Sequence, residues 1–256
     1  MAYTGDWDFV AERVFGVIAA ILEAHERGTR FGLGVCDDGL LAAGQEGLAL
    51  TWMDARLPNH AVTPRIGKPV EINALWYNAL RIGAELAGRM NDLKRGRRWE
   101  RMAEEARAGF NARFWNDEAG CLYDVVDVEG RPGCHDPAIR PNQLLAVSLT
   151  HAVLDESRWR AVVGVCERRL WTPMGLRTLS PDDPQYQGRY SGDTAARDQA
   201  YHQGTVWPWL LGPFVTAYVR AFGATSKSKR QARAFLDGLS AHLGAAGLCG
   251  ISEVAD

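Results

Sequence analysis

Thr63-Pro64-Arg65-Ile66-Gly67-Lys68-Pro69-Val70-Glu71-Ile72-Asn73-Ala74-Leu75-Trp76-Tyr77-Asn78 carries a polar loop into the start of a helix. Leu75, Ala79, Ile82 and Leu86 extend it at three- and four-residue intervals, the period of an α-helix with one apolar face. The same spacing marks six more helices. One runs from Trp7 through Ile21 and closes near Gly28, one spans Trp99 to Phe114, and one starts at Pro141, which suits a first helical turn. The others carry Trp159 to Cys166, Leu210 to Phe222 after Pro208, and Phe235 to Leu243. No strand series alternates with these helices; pieces such as Leu122-Tyr123-Asp124-Val125-Val126 read as hairpin decorations.

The loops alternate in character. Those near 90–97, 152–157 and 223–228 are short and charged or small, whereas those near 31–69, 116–139, 171–204 and 247–256 are long and rich in Gly, Pro, Asp, Trp and His. Short and long connections in alternation imply helical hairpins whose long loops gather at one end. Long structured loops are where function concentrates. The expected fold is therefore all-α, a toroid of paired helices forming a single domain over residues 1–256.

The loop residues have a definite chemistry. Thr51-Trp52-Met53-Asp54 and the stretch from Thr63 to Asn78 place aromatics, carboxylates, cations and amides close together. That mixture is costly to bury in a core. It suits a polyhydroxylated ligand, with flat faces to stack on and hydrogen-bonding groups around the rim. A formal net charge of −2 gives no footprint for nucleic acid, and no apolar run reaches the roughly 18 residues of a membrane span. The five cysteines are scattered and the histidines dispersed, so neither a disulfide framework, a metal site nor a cofactor is expected. The N-terminus lacks a basic secretory start, and a cytoplasmic location is the expectation.

Asp38-Gly39-Leu40-Leu41, the block from Leu50 to Ala55, Thr63 to Asn78, Arg140-Pro141-Asn142-Gln143, Gly175 to Leu179, and Tyr201-His202-Gln203-Gly204-Thr205-Val206-Trp207-Pro208-Trp209 together resemble the C-terminal domain of bacterial and archaeal glycogen debranching enzymes. That is the amylo-alpha-1,6-glucosidase family. The resemblance implies an (α/α)6 toroid of the six-hairpin glycosidase type. It also implies hydrolysis of α-1,6-linked glucose on glycogen or limit dextrin, with inversion at the anomeric carbon. A full toroid has twelve helices against about seven counted, and the family continues past Asp256, so the chain is expected to be truncated at both ends. The Leu57-Pro58-Asn59-His60 loop departs from the family pattern in lacking an acidic residue.

Inverting glycoside hydrolysis uses one carboxylic acid on the leaving oxygen and one carboxylate on a water, roughly 6.5–9.5 Å apart. Asp54 is the expected acid: it follows Trp52 on a loop, where an indole can stack on a sugar and shield the carboxyl. The resemblance places the base at Glu253, with Asp256 and Glu71 as rivals. Expected substrate contacts are Asp38, Trp52, Lys68, Glu71, Asn73, Arg140, Asn142, Arg177, His202, Gln203 and Trp207. Arg65 is read as a structural ion-pair partner, and Trp209 as core. Two other readings stand beside this one: a glucan-binding fragment without catalysis, and a toroid glycosidase for trehalose or maltooligosaccharides. Oligomeric state has no signal in the sequence.

Overall fold

The computed structural model describes residues 4–245 and 249–256. Its first helix, α1, runs through Trp7–Phe9, a π-helical segment Val10–Val14 and Phe15–Arg27. Helices α2 (Val70–Arg89) and α3 (Leu93–Arg113) form the longest hairpin. Asp92 caps the start of α3 by accepting from the Arg95 amide at 3.1 Å. Gly83 of α2 lets the three helices close up: a Cβ there would stand 2.6 Å from Leu22 of α1 and 3.2 Å from Trp99 of α3. Trp99, Phe110, Phe114, Leu80 and Leu22 are almost wholly buried at this junction. Each contributes on the order of 1.5–3 kcal/mol through burial.

The second half holds α4 (Leu145–Ser148), α5 (Glu156–Arg169), α6 (Thr194–Ala200), α7 (Leu211–Phe222), α8 (Ser226–Ala234) and α9 (Asp237–Ala245). Phe214 of α7 and Val162, Val163 and Cys166 of α5 join the same continuous core.

Two expected helices come out differently. The one starting at Pro141 is a 3-10 turn, Pro141–Leu144, followed by a single α-turn, because Leu149 is already extended (ψ 158°). The one expected over Phe235 to Leu243 runs Asp237–Ala245, and a further helix, Ser226–Ala234, precedes it where Thr225 caps the charged run by accepting from the Ser228 amide.

Strands are short and confined to the loops. Three two-stranded hairpins pair Gly34–Val35 with Leu41–Ala42, Arg56–Leu57 with His60–Ala61, and Trp115–Asn116 with Cys121–Leu122. A three-stranded sheet contains β1 (Lys68–Pro69), β2 (Val125–Val126) and β3 (His135–Asp136), paired antiparallel in that order. A second contains β4 (Trp171–Thr172), β5 (Gly175–Arg177) and β6 (Val206–Trp207). The end of the chain extends that second sheet: Ala255 and Val206 exchange both backbone hydrogen bonds, at 3.0 and 3.1 Å. The long loops are thus tied into small sheets at the helix ends. Among the described residues, no helix is long and apolar enough to cross a membrane.

Candidate active site

Four loops distant in sequence converge on an aromatic cluster. Trp52 meets His202, Trp207 and Trp209 edge-to-face, with ring centroids 5.1, 5.5 and 5.0 Å away. His202 stacks on Trp207 at 5.1 Å, and Tyr201 packs against both. Hydrogen bonds fix two of the indoles: Trp207 Nε1 donates to the Tyr201 carbonyl at 2.9 Å, and Trp52 Nε1 donates to Asn142 Oδ1 at 2.8 Å. A hollow of about 420 Å³ opens beside them, lined by Trp207, Pro208, Trp209, Ile251, Ser252 and Glu253.

Asp54 stands outside the lining of this hollow, with Oδ1 3.6 Å from His202 Nε2 and a side chain 68 % exposed. The expected shielding by Trp52 is not seen: the indole packs on His202, and the Asp54 side chain stays mostly exposed. The Tyr201 phenol stands near the charges of both candidate carboxylates. Burial first, and then the Glu253 and Asp54 charges, push its pKa upward. One phenol therefore senses both candidate carboxylates.

His202 has no solvent exposure, and neither ring nitrogen has a hydrogen-bond partner among the described residues. Burial drives its pKa down to about 4; the Asp54 carboxylate opposes that shift, and the Arg140 and Arg65 charges reinforce it. The folded state therefore binds this proton less tightly than the unfolded state. Stability is unaffected by His202 above its ordinary pKa of 6.5. It falls by at most about 1.4 kcal/mol per pH unit from there to about 4, with no further loss below. Comparison of urea midpoints between pH 7 and 4 for the wild type and His202→Gln is expected to show the wild type losing more stability, the gap opening below pH 6.5. Parallel curves would remove this assignment.

Behind the cluster lies a buried ionic layer. Arg65, held at φ 46°, chelates the Glu71 carboxylate through Nη1 and Nη2 and binds Asp124 through Nε at 2.6 Å and Nη2 at 3.0 Å. Burial opposes the Arg65 charge, but Asp124 and Glu71 outweigh it and raise the pKa above its ordinary value. Asp124 also accepts from Asn142 Nδ2 at 2.9 Å, so the chain Arg65–Asp124–Asn142 leads to Trp52. Arg140 donates to the carbonyls of Thr178 and His202 and to Gln203 Oε1, at 3.1, 2.8 and 2.6 Å. It clamps two loops together, and burial lowers its pKa.

These positions correct several expected sugar contacts. Glu71 is 1 % exposed with both oxygens on Arg65, so the predicted helix-end carboxylate faces inward. Asn73 is equally buried and spends its amide on Leu41 and Pro69 backbone groups, pinning the loop at residue 41 to α2. Asn142 and Arg140 are buried and hold other site residues in place. Gln203 is buried between Arg140 and Gln185. Arg177 is half-buried and donates to the Tyr186 hydroxyl at 3.2 Å.

Asp38 and Lys68 form an ionic square with Arg113 and Asp127: Lys68 Nζ lies 2.7 and 3.0 Å from the two acids, and Arg113 lies 2.5 and 2.6 Å from them. Gly109 on α3 and Gly39 admit that loop, since a Cβ on Gly109 would sit 2.1 Å from the Asp38 carbonyl. Of the expected contacts, Trp52, His202 and Trp207 stand together at the cluster. Trp209, read as core, is 45 % exposed on the hollow.

Asp136 is a carboxyl that the sequence did not single out. Burial and the Asp124 charge raise its pKa, but it lines a separate recess of about 160 Å³ with Arg65, Arg140, Gln185 and Gln203. Among the described residues, no three His, Cys, Asp or Glu side chains are grouped to hold a metal.

The family model for amylo-alpha-1,6-glucosidase matches residues 1–256. The chain belongs to the amylo-alpha-1,6-glucosidase family. It is 26 % identical over 220 residues to the glycogen debranching enzyme of Saccharomyces cerevisiae, a match covering 70 % of this chain and 14 % of the yeast protein. Its fold is similar to that of a solved sialidase (TM-score 0.63, 16 % identity, 91 % of this chain and 20 % of that one). It is also similar to a GH78 rhamnosidase of Bacillus sp. GL1 (TM-score 0.58, 18 % identity, 95 % and 20 %). A GH63 mannosylglycerate hydrolase from Thermus thermophilus shares it over 74 % of this chain and 39 % of that one (TM-score 0.50, 20 % identity). Family membership makes this a glycosidase-type domain of the debranching kind.

Proposed function

We propose that this domain hydrolyses α-1,6-linked glucose at the branch points of glycogen or a related limit dextrin, with inversion. Asp54 passes a proton to the leaving oxygen, and Glu253 draws a proton from the attacking water. The helical hairpins are read as part of an (α/α)6 toroid, with the long loops at its catalytic end. The observation carrying the reading is that Glu253 lines the hollow with Trp207 and Trp209, while Asp54, from a separate loop, lies 3.6 Å from the His202 ring stacked on Trp207. A pyranose laid on that wall would stack on Trp209 and Trp207 with the Glu253 carboxylate lining the same hollow. Trp52, Trp207 and Trp209 are the proposed sugar contacts, and His202, without solvent exposure, packs behind Trp52 and Trp207.

The test is glucose release from a branched limit dextrin, followed by NMR of the first-formed anomer. The expected result is β-glucose, with no release from trehalose or linear maltotriose. α-Glucose as first product, or equal rates on trehalose, would overturn the reading.

A second reading, a glucan-binding module without turnover, is favoured by the placement of Asp54, whose side chain is 68 % exposed and stands outside the lining of the hollow. Glycogen binding with no glucose release, unchanged in Asp54→Asn, would establish it.

A further inference from the structure

The segment bearing Glu253 is pinned on both sides. Downstream, Ala255 is hydrogen-bonded to Val206 of β6, and Asp256 Oδ1 accepts from the Tyr190 amide at 2.7 Å. Upstream, Ser252 meets His242 of α9: the Ser252 amide donates to His242 Nε2 at 3.3 Å, and the Ser252 hydroxyl lies 3.0 Å from the same nitrogen. Val254 packs on the core between the two anchor points.

Helix α9 is itself docked on the sheet that carries β6. Gly238 sits so close to the β4–β5 turn that a Cβ there would stand 2.1 Å from the Pro173 carbonyl. The route from sheet to α9, to His242, to Ser252, past Glu253 and back to β6 is therefore a closed mechanical loop. Glu253 is exposed, and on an unanchored loop a carboxylate would sample many positions. Held at residues 252 and 255, it has one spacer residue on its downstream side and none on its upstream side.

We propose that His242 is a positioning residue for Glu253: through Ser252 it fixes the carboxylate against the Tyr201 and Trp207 wall. This rests on the reading of Glu253 as the base. His242 touches neither of the two candidate carboxylates in the hydrogen-bond network and acts only through the neighbouring residue. The role requires an acceptor at the Nε2 position, because the Ser252 amide can only donate. Glutamine places a carbonyl oxygen near that position and supplies the acceptor, whereas alanine supplies nothing.

The experiment compares His242→Ala and His242→Gln in the full chain. Hydrogen exchange of residues 251–256 is measured together with kcat and KM on limit dextrin. His242→Ala is expected to deprotect the Ser252 amide and to lower kcat by about 100-fold, the scale of a displacement near 1 Å, with KM nearly unchanged. His242→Gln is expected to restore both. Unchanged exchange in His242→Ala, or equal kcat in wild type and His242→Ala, overturns the inference. Failure of the underlying reading has a different signature: Glu253→Gln keeps full activity, while exchange in His242→Ala still reports whether His242 holds the segment.

Discussion

Asp54→Asn and Glu253→Gln are each expected to lower glucose release from limit dextrin by about 10²–10⁴-fold, the range for loss of a positioned acid or base. Both substitutions keep the side-chain shape and remove only the ability to carry the proton. Asp54 is mostly exposed and Glu253 exposed, so neither change leaves a buried group unsatisfied, and thermal stability should hold. Glucan binding should hold as well, because the stacking surface belongs to Trp52, Trp207 and Trp209. The two roles separate by leaving group. An activated glucosyl fluoride needs little protonation and should recover much of the rate in Asp54→Asn but none in Glu253→Gln. Recovery in the opposite pattern would exchange the assignments, and full turnover in either variant would end them.

The aromatic part of this site was legible in the sequence because its residues are out of place in a core. Trp52 beside Asp54, and His202 with Trp207, sit in loops bounded by Gly and Pro, and the structure brings them together. The polar part was less legible. Glu71 looked like a substrate contact or a rival base, yet Arg65 adopts φ 46° and turns its guanidinium onto it from six residues upstream. A period of 3.6 residues says which helix face is apolar, but it does not say that a polar residue on the inward side has found a buried partner. Asn142 looked like a sugar contact for the same reason; its partners, Trp52 and Asp124, come from separate loops. Trp209 was misplaced by register. Pro208–Leu210 is a 3-10 turn, so Leu210 and Leu211 take the buried positions and the indole swings outward. The helices themselves were well marked wherever they run beyond three turns, as in α2 and α3.

Replacing Arg65 by Met is expected to destabilise the fold by about 3–5 kcal/mol, the cost of stranding a buried partner. Two carboxylates are stranded here, Glu71 and Asp124, with side chains 2 % and 1 % exposed. Arg140 offsets this only in part: its Nε stands 3.6 Å from Asp124 with no other hydrogen-bond partner among the described residues, but its remaining nitrogens are committed to Thr178, His202 and Gln203, and Glu71 is left without a cation. Relief from the left-handed backbone at residue 65 is not available either, since methionine has the same preference against positive φ.

The loss should be strongly non-additive. Adding Glu71→Gln to Arg65→Met removes one stranded charge and should recover part of the stability, although Glu71→Gln alone is destabilising. The injury also reaches the sugar wall. Without Arg65, Asp124 loses its fixed position, then Asn142, then the hydrogen bond that orients Trp52. Urea midpoints report the first effect, and near-ultraviolet circular dichroism of the tryptophans reports the second. A midpoint shift worth less than about 1 kcal/mol would place this layer among ion pairs that contribute little, and it would detach Trp52 from the ionic layer beneath it.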